Sequence, residues 1–132
     1  MRVKMLIRNE IVENLQQKLQ AEISKATFLI DDILILDINK SPFIVIRQTD
    51  TQISIPSSQS WKHTLGLEIE IIATSKSKSD ELLESILLTL ENFSGIKNIT
   101  AIKVEKSEIA TTQAFSVSIE LEIIYFTPSF RA

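Results

Sequence analysis

The chain reads as an α+β domain: a mostly antiparallel sheet of four to five strands with two helices packed on one face. Three stretches predict this. From Thr64 to Ala73, Leu65, Leu67, Ile69, Ile71 and Ala73 alternate with Thr64, Gly66, Glu68, Glu70 and Ile72. Successive strand side chains point to opposite faces, so one face is apolar and the other largely solvated, the pattern of a sheet covered on one side. Phe115, Val117, Ile119, Leu121 and Ile123 repeat it against Ser116, Ser118, Glu120 and Glu122. Between them Leu82, Leu83, Ile86, Leu87, Leu90 and Phe93 recur every three or four residues, the apolar stripe of an amphipathic helix.

In chain order, Arg2 to Glu22 predicts a first helix, because Val3, Ile7, Ile11, Leu15 and Leu19 step by four without Gly or Pro. Ile33 to Ile38 predicts a strand, Asn39 to Ser41 a turn before Pro42, and Phe43 to Ile46 the return strand of a hairpin. Gln48 to Lys62 is the longest polar stretch. It reads equally as a stretch holding a short strand at Ile53 to Ile55 or as a mobile loop. The strand from Thr64 and the second helix follow. Ser77 and Asp80 have capping-box spacing, Ser79 is a second N-cap candidate, and Asp80 and Glu81 suit the positive end of the helix dipole. Asn92 and Gly95 suit its C-terminal stop. Thr100 to Lys106 predicts a strand with Ile102 and Val104 inward, Ser107 to Gln113 a turn, and Phe115 to Phe126 the last strand, ended by Pro128.

The 132 residues suit a single domain spanning 1–132, and no repeat or linker interrupts them. The 44% apolar content is that of a globular protein, no apolar run reaches the ~20 residues of a membrane span, and Met1 to Met5 does not read as a signal peptide. Absent cysteine excludes disulfides and zinc–thiolate sites and fits a cytosolic setting. A net charge of −3 disfavours nucleic-acid binding as the main task.

Chemistry is sparse. His63 is the sole histidine and reads as a surface or strand-edge residue, not a ligand or base. Asp31–Asp32, Glu68–Glu70 and Glu120–Glu122 are close carboxylate pairs. The strand pairs could face a hard cation, but no binding-loop pattern accompanies them, and a solvated sheet face is the simpler reading. Two glycines make no phosphate-cradling loop, and Lys76 and Lys78 read as a solvated turn. No cofactor or metal is expected. Trp61, in its polar surroundings, is either a lid over the core or an anchor in a protein–protein contact, and Ile124, Tyr125 and Phe126 pose the same choice.

The pattern resembles the phage tail terminator (tail completion, minor tail protein) family. The resemblance rests on the helix from Arg2 to Glu22, Pro42-Phe43-Ile44-Val45-Ile46 before a polar stretch, and Trp61 through Ile71. Asp80 through Ile86 and Leu121 through Thr127 complete it. It implies a small α+β subunit that closes into a six-membered homo-oligomeric ring, caps the tail tube, ends its polymerisation and presents the head-joining surface. Its partners would be the tail tube protein and a head-completion or connector protein. DNA would pass through without specific binding, no membrane would be involved, and the setting would be the virion tail, with the host cytoplasm during assembly. The family has no catalytic residues to carry over. On this reading Trp61, His63, Ile124, Tyr125 and Phe126 are candidate interface residues, and Glu68, Glu70, Glu120 and Glu122 are candidates for a channel wall. A small ligand-binding or regulatory domain and another neck or tail assembly protein are the alternatives, and an enzyme ranks last.

Overall fold

A computed structural model describes residues 6–24, 26–30, 42–93, 96–109 and 112–131. Two α-helices, α1 (Ile7–Glu22) and α2 (Lys76–Glu91), accompany five strands: β1 (Thr27–Ile30), β2 (Phe43–Ser57), β3 (Ser60–Ala73), β4 (Ile96–Ile109) and β5 (Thr112–Pro128). The sheet order is β1-β2-β3-β5-β4. Only β1 and β2 are parallel; the other three pairings are antiparallel. β4 therefore runs parallel to β3 with β5 inserted between them, a split β-α-β unit whose crossover is α2.

The alternation in β3 dictates the layering. Leu65, Leu67, Ile69 and Ile71 are buried with Val117, Ile119, Leu121 and Ile123 of β5 and Ile44 and Ile46 of β2. From above, Val12, Leu15 and Leu19 of α1 and Leu82, Ile86 and Leu90 of α2 close the same cluster. Each fully buried Leu or Ile contributes about 1.5–3 kcal/mol over its exposed state. The opposite face is not uniformly solvated, because Phe43, Val45, Ile72 and Ala114 form a second buried cluster at one end of it.

Several expectations need correction. Of the two readings of Gln48 to Lys62 the structure shows the strand, far longer than Ile53–Ile55, and not the mobile loop. β2 continues to Ser57, turns at Ser58 and Gln59, and returns as β3, pairing Asp50 with Gly66 and Ile53 with His63. Its polar composition reflects exposure: β2 from Gln52 to Ser57 is exposed on both faces, so no alternation was needed to build it. The Ser107–Gln113 turn shrinks similarly, since Ser107, Glu108 and Ile109 pair with Ala114, Gln113 and Thr112. Leu6 has an extended backbone, so α1 starts at Ile7 and not at Arg2. α2 begins before the proposed capping box: the N-cap is Ser75, whose Oγ accepts from Lys78 N–H at 3.1 Å, and Asp80 and Glu81 lie beyond the first turn. Asn92 does follow the last helical residue. β1, at Thr27–Ile30, was not expected from the sequence. Residues 2–5, Asp31–Asp32, the strand expected at Ile33–Ile38, the turn at Asn39–Ser41 and Gly95 lie outside the described residues.

Polar ties fix the helices at their ends. Gln48 Nε2 donates to Asn9 Oδ1 at 2.9 Å, joining β2 to α1. Lys18 Nζ donates to the carbonyl of Asn92, bringing a cation to the negative end of α2. The cap assignment is testable. Ser75→Ala is expected to cost about 1 kcal/mol in chemical denaturation, whereas Ser77→Ala, at an exposed position, should stay within about 0.5 kcal/mol. The reverse ranking would return the cap to Ser77.

Candidate functional site

Two surfaces and one buried cluster collect the residues that the sequence singled out. The cluster sits at the hairpin end of the sheet, on the helix side. Ile53 pairs with His63, His63 with Tyr125 and Trp61 with Thr127, so these residues line up across three strands. His63 is fully buried on a central strand, not a surface or edge residue as its polar sequence context suggested. Its ring stacks on Tyr125 at 4.6 Å, with planes 4° apart. His63 Nε2 lies 2.8 Å from Thr127 Oγ1, whose own hydroxyl donates to the Arg131 carbonyl at 2.7 Å. The threonine proton being committed, Nε2–H is the donor and Nδ1 is left as an acceptor. Among the described residues, neither the buried Nδ1 nor the buried Tyr125 hydroxyl has a hydrogen-bond partner. Burial pushes the Tyr125 phenol above its ordinary range, partly offset by the Arg8 guanidinium.

Trp61 half-covers this cluster, and Phe130 packs on it at 5.0 Å between ring centroids. Trp61 is thus half-buried, in ring contact with His63 at 6.2 Å between centroids. Phe130 escaped sequence reasoning because a short tail after Pro128 shows no period. Its φ of 62° lies in the left-handed region that large side chains avoid, and its side chain is 88% exposed. Phe126 is exposed on the opposite face, where it pairs with Lys62, and Ile124 is half-buried on that face.

That outer face also carries the four glutamates. Glu68 pairs with Glu120, Gly66 with Glu122 and Glu70 with Ser118, all turned away from the helices. Arg47, invisible as a partner until the β2–β3 register is known, reaches between two of them. Its Nη1 donates to Glu68 Oε1 at 2.7 Å and its Nη2 to Glu70 Oε1 at 2.8 Å. Ser116 Oγ donates to the second oxygen of Glu70. Lys103 bridges to Glu120 at 2.9 Å, which raises the lysine pKa. On this face the carboxylates Asp50, Glu68, Glu70, Glu105, Glu120 and Glu122 still outnumber the cations Arg47, Lys62 and Lys103. A hollow of about 370 Å³ beside Gly66 is walled by Thr49, Asp50, Thr100, Glu120 and Glu122. The Gln52 amide and the Thr49, Thr64 and Thr100 hydroxyls stand beside these carboxylates, and a Cβ at Gly66 would collide with Asp50 Oδ1 and Thr49 Oγ1. Among the described residues no group of three His, Cys, Asp or Glu could hold a metal, and no helix is long and apolar enough to cross a membrane.

The second surface is apolar and was misread from sequence. Ile102 and Val104 do share the helix face, opposite Ile119 and Val117, but no helix reaches over β4. They are 44% and 66% exposed, with Ile99 beside them at 44%. At the opposite edge, Ile53 and Ile55 are 49% and 64% exposed. These are clustered apolar side chains on a charged chain, the arrangement that marks contact surfaces.

No family model matches the chain, and no curated protein matches it. Solved structures do. A protein from Akkermansia muciniphila superposes with a TM-score of 0.53 at 13% identity, over 91% of this chain and 51% of its own. The type 4 fimbrial biogenesis protein PilO from Pseudomonas aeruginosa gives a TM-score of 0.43 at 7% identity, over 93% of this chain and 72% of its own. The core region of PilO gives 0.36 at 8% identity, over 62% and 79%. This chain thus spans about half the length of the Akkermansia protein, and at 13% identity that likeness is one of fold.

The cluster and the clamp each yield a test. Tyr125→Phe removes a buried hydroxyl that has no partner, so thermal stability should be unchanged or higher. The raised phenol pKa makes the wild type lose stability as pH climbs past the ordinary tyrosine value of 10.0, and Tyr125→Phe should flatten that alkaline limb. A loss of 2 kcal/mol or more at neutral pH would mean that the hydroxyl has a partner. Arg47→Met leaves Glu68 and Glu70 facing each other half-buried, and should cost about 1 kcal/mol after solvent screening. A denaturant midpoint equal to wild type would show the clamp to be incidental.

Proposed function

We propose that this chain is a non-catalytic assembly subunit, and that the assembly is the ring of a phage or prophage tail terminator. One observation carries the reading: the sheet ends at both sides in uncovered apolar side chains, Ile99, Ile102 and Val104 on β4 and Ile53 and Ile55 on β2. A closed ring needs two different patches on each subunit that fit each other head to tail. A two-fold dimer needs only one. The residue pattern described above adds the family. Among the described residues no group of three His, Cys, Asp or Glu could hold a metal, and the Thr127–His63 pair is buried with the threonine hydroxyl donating to the Arg131 carbonyl.

In this reading the exposed rings of Phe126 and Phe130, with Trp61 behind Phe130, face the tail tube or the head connector. Aromatic side chains are the usual anchors of such contacts. The glutamate face lines the passage. Arg47 and Lys103 are already held by carboxylates, so a passing duplex meets acceptors and neutralised cations, with little to release counterions against. The ligand-binding alternative would use an open hollow such as the one beside Gly66, where every charged lining side chain is acidic.

The test is assembly. The purified chain, alone and with tail tubes, is expected to give a six-fold mass by light scattering and rings in negative stain. Trp61→Ala combined with Phe130→Ala should leave the ring intact and weaken tube capping at least tenfold. A chain that stays monomeric at high concentration with tubes present, and melts higher with a small-molecule ligand, would favour the binding-domain reading.

A further inference from the structure

β4 ends the sheet, with β5 on its inner side. Its middle is in solvent on both faces. Ile102 and Val104, opposite Ile119 and Val117 on the helix side, are exposed, and so are Lys103 and Glu105, opposite Ser118 and Ser116 on the outer side. Among the described residues no strand pairs with the outer side of β4. Ile30 and Pro42, between which the chain runs through residues 31–41, stand at β1 and β2 on the far side of β3. The first turn of α1 is tied there too, through Asn9 and Gln48. A bare sheet edge is a template for another strand.

The charges along β4 select that strand. Two copies related by a two-fold axis perpendicular to the sheet bring β4 antiparallel to β4, with all helices on one side. Residues equally far from the axis then stand opposite each other. With Lys103 or Glu105 on the axis, like charges would meet. With Ile102 on the axis, Val104 would run into the bulge between Ile99 and Ala101. With Val104 on the axis, Lys103 of each copy faces Glu105 of the other, twice over. On the helix face Val104 then meets Val104, and the methylene stem of Lys106 lies along Ile102. Among the described residues Glu105 makes no ion pair, while Lys103 holds Glu120 of its own chain at 2.9 Å. The second copy's glutamate would complete a set in which one ammonium serves two carboxylates.

We infer that the free chain pairs with a second copy through β4, antiparallel and centred on Val104, with reciprocal Lys103–Glu105 contacts on the outer face. The pair joins two sheets into one and uses a single self-complementary patch. It goes beyond the ring reading, because it describes the chain at concentrations below those at which rings close. A ring closed through β4 would need the same edge, so the pair would have to open first. Until then the apolar residues of β4 are covered and the edge is closed to indiscriminate pairing.

Exchange of charge tests this. Lys103→Glu sets glutamate against glutamate at both crossings, and Glu105→Lys sets lysine against lysine. Each variant alone is expected to dimerise at least about tenfold more weakly than wild type in sedimentation velocity and native mass spectrometry. Mixed one to one, the two should form heterodimers of wild-type strength, because both crossings are then oppositely charged. The double variant carrying both changes should pair with itself again. Circular dichroism checks each fold. Where Lys103→Glu is unstable, hydrogen exchange on wild type takes its place, and the amides from Ile102 to Lys106 should gain protection as concentration rises. A wild type that stays monomeric at its highest soluble concentration would overturn the pair, as would dimers indifferent to both charge reversals. Rings that form with no dimer at lower concentration would also overturn it while leaving the ring reading standing. Dimers with this charge pattern that never close into rings, with or without tubes, would uphold the pair and count against the ring.

Discussion

Everything in this fold is hung on β3. It is hydrogen-bonded along its length to β2 on one side and β5 on the other, from Ser60 to Ala73. Because strand side chains alternate, one shift of register would send Leu65, Leu67, Ile69 and Ile71 to the outer face and Glu68 and Glu70 into the core. Burying two carboxylates without partners would cost more than the domain's whole stability margin. The register is therefore the constraint that the helices, the glutamate clamp and the aromatic cluster all inherit. Arg47 meets Glu68 and Glu70 only in this register, and His63 meets Tyr125 only in it.

The same constraint explains where polar atoms were tolerated. His63 continues the odd-numbered positions of β3 and so points into the core side, where α1 has only its first turns to offer. Its stack on Tyr125 and its bond to Thr127 offset part of its desolvation. The unpartnered Nδ1 and phenol oxygen remain as a local cost. That cost lies at the end of the sheet where aromatic rings stand exposed and Phe130 is held in the left-handed region. A sequence selected only for stability would not keep this combination.

What was legible in the sequence follows from the type of signal each element carries. β3, β5 and α2 announce themselves because each has one buried face, and burial imposes a period. The distal half of β2 was invisible because neither face is buried, so nothing selects alternation. β1 was missed because four residues are too few for a period to show. Ile102 and Val104 were placed on the correct face and given the wrong environment, since alternation reports which residues share a face and is silent on whether a helix covers it. Arg47 shows the same limit for charge. Composition finds the acidic residues, while the cation that neutralises two of them sits on another strand, about twenty positions away, and is found only through pairing. His63 reversed its reading because one polar letter beside Trp61 and Lys62 looks like surface until the strand phase is known.

Charge on the outer face can now be argued from contacts in place of composition. Counting glutamates gives an acidic face. The contacts make it a face whose cations are committed: Arg47 between two carboxylates and Lys103 against Glu120. A phosphate approaching Arg47 would have to displace two short charge-assisted bonds while staying clear of Glu68 and Glu70 themselves. Exchange of that kind gains little, because the arginine is neutralised before and after it. Lys62 is left as a less constrained cation, near the rim at Phe126. A face of this sort neither grips nor strongly repels a duplex. In the ring proposed above, which would hold a tube on one side and let DNA slide through, mutual neutralisation within each subunit would be more workable than a strongly charged wall, because strong repulsion would itself oppose DNA entry.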